Sequence, residues 1–288
     1  MKNYPKQRPT KYPPQSRIIA LGDIHGDWNV LLQCLQLADL ITPRLNWKGG
    51  NTHLVQIGDL FDRGGRSMTV GDEMSEWKIL TLLLRLQHQS VRMGGGVHIL
   101  VGNHELMNVD GDFRYTTPLS RRDFNGQRST MLRPGGDIAR ILAYAGQAVV
   151  QIGGWLFSHA GILPSTIKKY RLSTINHILH EYLLGKRTRE QIYHDRPLQD
   201  IFWTRRYGTY QPDCKSLYKV GRQLSLKGQV VGHTVQRTIH SKCNQQLWRI
   251  DVGMSRAFGS PTRYQVLEIN DDGKRIRVLS TRHTKHKH

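Results

Sequence analysis

RIIALGDIHGDWNVLLQCLQLADL, residues 17–40, carries the pattern on which the fold reading turns. Its first five residues form an aliphatic run of strand length, and the run stops at Gly22 and the acidic Asp23. Beyond a second glycine, apolar residues recur at helical spacing from Trp28 to Leu40. Strand, polar loop and helix in that order open an α/β unit, in which functional residues gather where the strand's carboxyl end meets the loop. The pattern then repeats. HLVQI (53–57) leads into GDLFDRGG (58–65) and a helical EMSEWKILTLLLRLQH (73–88), and VHILV (97–101) leads into GNHE (102–105).

Farther along, Asn108 to Gly136 is polar, arginine-rich and aperiodic, which predicts a long, partly helical excursion over the active face. Strand-like runs return at QAVVQI (147–152) and GWLFSHAG (154–161), a helical stretch follows near Ser173 to Tyr193, and GQVVGHT (228–234), QLWRID (246–251), YQVLEI (264–269) and RIRVLS (275–280) close the chain. Early αβ alternation followed by strand-rich meanders predicts two packed sheets with outer helices in one domain. Residues 1–16, with four prolines and little periodicity, read as a flexible basic leader, the ordered domain as 17–281, and 282–288 as a basic His/Lys tail.

The net charge of +20 suggests an anionic partner, but eleven of those charges lie in residues 1–17 and 273–288. Nucleic-acid binding through the tails is therefore the less favoured reading, and no nucleic-acid motif accompanies it. Cys34, Cys214 and Cys243 are far apart with no pairing pattern, which fits a reducing compartment; Cys34 falls in an apolar helical run and is expected in the core. The first residues hold no apolar signal region and no run reaches membrane-span length, so a soluble, cytoplasmic protein is expected.

Asp23 and His25 stand at i and i+2 on an extended segment, so both side chains can leave on one side. Such a pair alone is usually incidental. Here it recurs: Asp59 follows the second strand, Asn103 and His104 the third, and His159 and His233 follow later ones. Oxygen and imidazole donors converging from five strand ends suit an intermediate divalent metal such as Mn, Fe or Zn.

GDIHGD, GDLFDRG and GNHE, in that order, resemble the signature of the calcineurin-like metallophosphoesterases and, within them, the phosphoprotein phosphatase superfamily. GNHELMN continuing into GDFRY, and GHT followed by IDVGMSRAFG, look closest to the Shewanella-like protein phosphatases. The resemblance runs from about Arg17 to Gly259 and implies an α/β fold of two packed mixed β-sheets flanked by helices, in four layers α-β-β-α. It implies two metal ions, with Asp23, His25 and Asp59 on the first and Asp59, Asn103, His159 and His233 on the second. His104 would be the general acid, oriented by Asp62, and metal-bound hydroxide would attack directly. Arg63, Asn103 and one of Arg205 or Arg206, with Arg205 preferred, would hold the phosphate.

Glu105 in place of the aspartate typical of nuclease branches, and Val235 where those branches place a second histidine, favour a monoesterase. The implied substrate is a phosphorylated protein, on tyrosine or on serine and threonine, or a small phosphomonoester. The alternative is a hydrolase of dinucleoside polyphosphates or nucleotide ends. Glu105 reads as a supporting residue or as the cap of the following helix. Arg114, Tyr115, Arg121 and Arg122 are open between steering a substrate and facing solvent.

Overall fold

The computed structural model describes residues 7–261 and 263–281. The strands are β1 (Lys11–Tyr12), β2 (Arg17–Leu21), β3 (His53–Gln56), β4 (Gly96–Leu100), β5 (Gly146–Gln147), β6 (Val149–Ile152), β7 (Trp155–Ser158), β8 (Gly228–Val231), β9 (His240–Lys242), β10 (Leu247–Arg249), β11 (Gln265–Asn270) and β12 (Arg275–Ser280). They form two six-stranded mixed sheets, ordered β12-β11-β2-β3-β4-β5 and β1-β6-β7-β8-β10-β9. The expected two-sheet α/β architecture is present.

Alternate residues of each strand face alternate sides. Ile18 and Ala20 of β2, Val55 of β3, Phe157 of β7 and Val230 of β8 meet in an apolar layer between the sheets. On the outer side of the first sheet, Ile19, Leu21 and Leu54 pack with Leu31, Cys34 and Leu35 of the helix Trp28–Leu37 and with Leu80 and Leu83 of the helix Glu76–Val91. Full burial of each such side chain contributes about 1.5–3 kcal/mol. In the first sheet β2, β3, β4 and β5 run parallel, and in the second β7, β8 and β10 do. Parallel strands put their carboxyl ends on one edge, and these edges of both sheets face the same cleft.

Two expectations are corrected. The leader was placed at 1–16, yet Lys11–Tyr12 pairs with β6, and Thr10 and Tyr12 carbonyls accept from Gln151 and Gly153 N–H at 2.9 and 3.0 Å. An edge strand supplied by β6 needs only two extended residues, too few for periodicity to register. The cysteines do not remain separate: Cys214, at the start of the helix Cys214–Leu224, is bonded to Cys243 in the β9–β10 turn, 29 residues later. Chain topology brings together what spacing kept apart. The Asn108–Gly136 excursion is partly helical, as expected, with helices Pro118–Arg122 and Arg128–Leu132. Residues 282–288 lie outside the described residues.

At the β4 turn, a Cβ on Gly102 would stand 2.2 Å from Asp59 Oδ1 and 2.5 Å from Asp59 N. Gly102→Ala is therefore expected to cost about 1–3 kcal/mol through overpacking and to push the Asp59 loop away. Thermal melts of the variant should show a lower Tm; a melting temperature equal to wild type would contradict this packing.

Candidate metal centre and cleft

The strand-end loops bring the predicted ligands together. Asp23 and His25 follow β2, Asp59 follows β3, Asn103 and His104 follow β4, His159 follows β7 and His233 follows β8, and all are buried. Among the described residues two compact ligand groups form, His25 with Asp59 and His104, and Asp59 with His159 and His233, each with ligand atoms within 4.8 Å of one another, while Asp23 belongs to neither. Asp59 belongs to both. Its Oδ2 lies 3.8 Å from His25 Nε2, 4.0 Å from His104 Nε2 and 3.4 Å from His159 Nε2. Asn103 Oδ1 joins the second group, 2.8 Å from His159 Nε2 and 2.9 Å from His233 Nδ1. Asp23 accepts from the His233 N–H through Oδ2 at 3.2 Å, while Asp23 Oδ1 and His233 Nε2 are buried without hydrogen-bond partners among the described residues. Buried polar atoms left unpaired are costly, and coordination is one way to satisfy them. The donor set of carboxylates, imidazoles and one amide oxygen fits divalent cations of the Mn, Fe or Zn kind.

Local backbone serves this convergence. His25, Asp59, Asp62 and His233 all have positive φ, between 45° and 73°, a region that side-chain-bearing residues adopt at a cost and that clusters at functional sites. Carbonyl acceptors orient the rings: His25 Nδ1–H donates to Phe61 O and His159 Nδ1–H to Ile57 O, both at 3.1 Å, which turns each Nε2 toward Asp59. Burial, reinforced by Arg66 and His104, holds His25 well below the usual imidazole range, and burial with repulsion from His159 holds His233 down at about 3. Neutral rings are the form that binds metals; His159 differs, since burial opposes its charged form yet Asp59 beside it raises its imidazole above the ordinary value. Burial would raise the Asp59 carboxyl, but the neighbouring His159 and His104 outweigh it and keep Asp59 well below the ordinary carboxylate value.

On the cleft floor His104 Nδ1–H donates to Asp62 Oδ2 at 2.9 Å. Asp62, fully buried, is fixed by Asn108 Nδ2 at 2.9 Å and Arg128 Nη2 at 3.2 Å. Burial opposes the imidazolium, yet Asp59 and Asp62 together raise His104 above the normal imidazole value. Glu105 turns out to do both things considered for it. Its carboxylate accepts from Gly102 N–H, capping the helix Asn103–Val109, and from the N–H groups of Asp59, Leu60 and Phe61, at 2.7–3.1 Å. One side chain thus ties the β3 and β4 loops together.

The arginines are distributed differently from the expectation. Arg63 does not reach the cleft: it is 2% exposed, donates to Gly26 O at 2.7 Å, and pairs with Glu73 and with Asp27 at 3.5 Å. Arg66 faces the cleft instead, its Nη2 3.2 Å from His104 Nε2 and its guanidinium between the rings of Tyr115 and Phe258, 5.0 and 4.8 Å from their centroids. Arg205, also on the lining, bonds to His233 O and Thr234 Oγ1, both at 3.3 Å, whereas Arg206 lies 3.7 Å from Asp213 and is not on the cleft lining. Arg114 and Tyr115 line the cleft, whose volume is about 670 Å³; Arg121 bonds to Thr116 and, like Arg122, is not on its lining. Trp203, Tyr115 and Phe258 give it aromatic walls.

Sequence reading missed Arg66, Arg128 and Asp251. The first two lie in stretches without periodicity, where nothing marks direction. Asp251 carried a usable signal, because it stands two residues beyond a strand, as Asp23 and His233 do.

The calcineurin-like phosphoesterase family matches residues 16–237. The chain is 32% identical to Shewanella-like protein phosphatase 2 of Arabidopsis thaliana, over 93% of this chain and 78% of that one. It is 30% identical to Shewanella-like protein phosphatase 1 of Plasmodium berghei, over 83% and 67% of the two chains. In fold it resembles the crystal structure of a cold-active protein-tyrosine phosphatase from a psychrophilic Shewanella species, with a TM-score of 0.79 at 23% identity, over 95% of this chain and 83% of that one. The chain belongs to the calcineurin-like phosphoesterases, a metal-dependent family, among the Shewanella-like protein phosphatases, and is a phosphoester hydrolase.

Proposed function

We propose that the chain is a dinuclear-metal phosphatase that removes phosphate from phosphorylated proteins, with phosphotyrosine as the preferred residue. The observation that carries this reading is the place of Asp59, whose carboxylate is common to two separate ligand groups and so can bridge two cations. Asp23, His25 and Asp59 would hold one, and Asp59, Asn103, His159 and His233 the other. When bound, such a pair supplies charge for the phosphoryl oxygens and an activated water.

The chain's own groups supply the rest. Arg205 and Arg66, both on the cleft lining, offer guanidinium donors to the phosphate oxygens, and these donors keep their charge as negative charge shifts in the transition state. His104 keeps Nδ1–H on Asp62 and delivers the proton on Nε2 to the leaving oxygen. Tyr115, Trp203 and Phe258 suit an aromatic leaving group, because ring pairs add about 0.5–1.5 kcal/mol beyond burial. The name of the Shewanella relative, a protein-tyrosine phosphatase, points the same way.

Asp59→Asn is expected to abolish manganese-stimulated phosphate release from p-nitrophenyl phosphate and from phosphotyrosine peptides; retention of wild-type kcat would overturn the proposal. His104→Ala should lower kcat about 100- to 10,000-fold on phosphotyrosine peptides. It should do so less on p-nitrophenyl phosphate, whose leaving group needs a proton less. Equal losses on both substrates would argue against a proton-donor role. Turnover of dinucleoside polyphosphates with inert phosphopeptides would assign the alternative substrate class.

The two kinds of arginine separate in steady-state kinetics. Arg66→Ala and Arg205→Ala should each reduce kcat/KM by about 100- to 1,000-fold with little change in Tm. Arg63→Ala, which leaves Asp27 and Glu73 with Arg256 alone, should act mainly by lowering Tm, and a large kcat/KM loss in Arg63→Ala at unchanged Tm would contradict its assignment away from the phosphate.

A further inference from the structure

Five of the strands that end at the cleft deliver a proposed metal ligand just past their carboxyl ends. β10 also ends there, parallel to β8, with Arg249 opposite Val231 and Ile250 N–H donating to Val231 O at 2.9 Å. Two residues on, that register sets Asp251 beside His233. Asp251 is 2% exposed and lines the cleft. Its Oδ1 accepts from Gly253 N–H at 3.0 Å, but its Oδ2 is buried with no hydrogen-bond partner among the described residues. Asp23 Oδ1 is in the same condition, and the loops that carry the two carboxylates touch: a Cβ on Gly22 would stand 3.3 Å from Asp251 Cα, and Asp23 Oδ2 accepts from the N–H of His233, the register partner of Asp251, at 3.2 Å. Among the described residues neither carboxylate has an ion pair. Arg66 donates instead to Asp62 O and Gly64 O, both at 3.0 Å, and its Nη2 stands 3.2 Å from His104 Nε2.

Burying one unpaired carboxylate costs several kcal/mol, and burying two that repel each other costs more unless a cation lies between them. We propose that Asp251 is a further residue of the first cation's site, directing Oδ2 at the same ion as Asp23 Oδ1. This rests on the dinuclear reading above. The first site then has three carboxylates, from Asp23, Asp59 and Asp251, and one imidazole, from His25. The second has one carboxylate, one amide oxygen and two imidazoles. Carboxylate-rich sites suit Mn²⁺ or Mg²⁺ and imidazole-rich ones suit Zn²⁺, so the two positions differ in the metal they select.

Calorimetric titration of metal-stripped protein with Mn²⁺, paired with thermal melts, tests this without an activity assay. Wild type should take up two ions. Asp251→Asn should weaken one of them about 10- to 100-fold and leave the other unchanged. The stripped variant should melt no lower than stripped wild type, because one of two facing charges is gone, and its Tm should rise less on adding Mn²⁺. Asp251→Ser, smaller yet able to accept from Gly253 N–H, is carried in parallel should the asparagine variant fail to fold. Two Mn²⁺ affinities equal to those of wild type in a folded variant would overturn the role of Asp251. Wild type that binds no more than one Mn²⁺ would overturn the dinuclear reading itself.

Discussion

A single buried charge organises the cleft. Asp59 sits in left-handed backbone, in contact range of Gly102, with imidazoles from the β2, β4 and β7 loops aimed at its carboxylate. Nothing in the isolated β3 turn favours that conformation. It is imposed by Glu105, which takes the Asp59, Leu60 and Phe61 N–H groups, and by the His104 N–H, which donates to Asp59 Oδ1 at 3.0 Å. The third motif thus builds the second. A glutamate is long enough to cap its own helix at Gly102 and still reach across to the neighbouring loop.

From this arrangement follows the separation of roles between neighbouring carboxylates. Asp59 faces the cleft and is surrounded by imidazoles; Asp62, three residues on, faces inward to Arg128, Asn108 and His104. Positive φ at both residues sends the two side chains to different partners. Removal of Arg128 would leave Asp62 buried with a weaker hold on the imidazole, although Arg128 lies far along the chain in a stretch with no periodic signal.

The strand-loop pattern at residues 17–27, 53–65 and 97–108 made the sheet core and the predicted ligands legible, because strand ends fix both position and direction. Direction failed where a long side chain leaves a loop. Arg63 lies inside a recognisable motif, yet Asp27 and Glu73, from two other loops, draw its guanidinium inward, and Arg66 takes the exposed direction. Pairings between distant segments were equally hidden: the Cys214–Cys243 bond and the β1 strand both depend on partners that only the folded chain supplies. Arg63, Arg128 and Arg256 are spent on Asp27, Glu73, Glu76 and Asp62, beneath or beside the cleft, and bind acids of the chain itself.

The central claim is that Asp59 bridges two cations. Anomalous diffraction from crystals grown with Mn²⁺ tests it most directly. The account predicts two manganese peaks about 3.5–4 Å apart, with the Asp59 carboxylate between them. A single peak, or two peaks of which only one is in contact with Asp59, would contradict it.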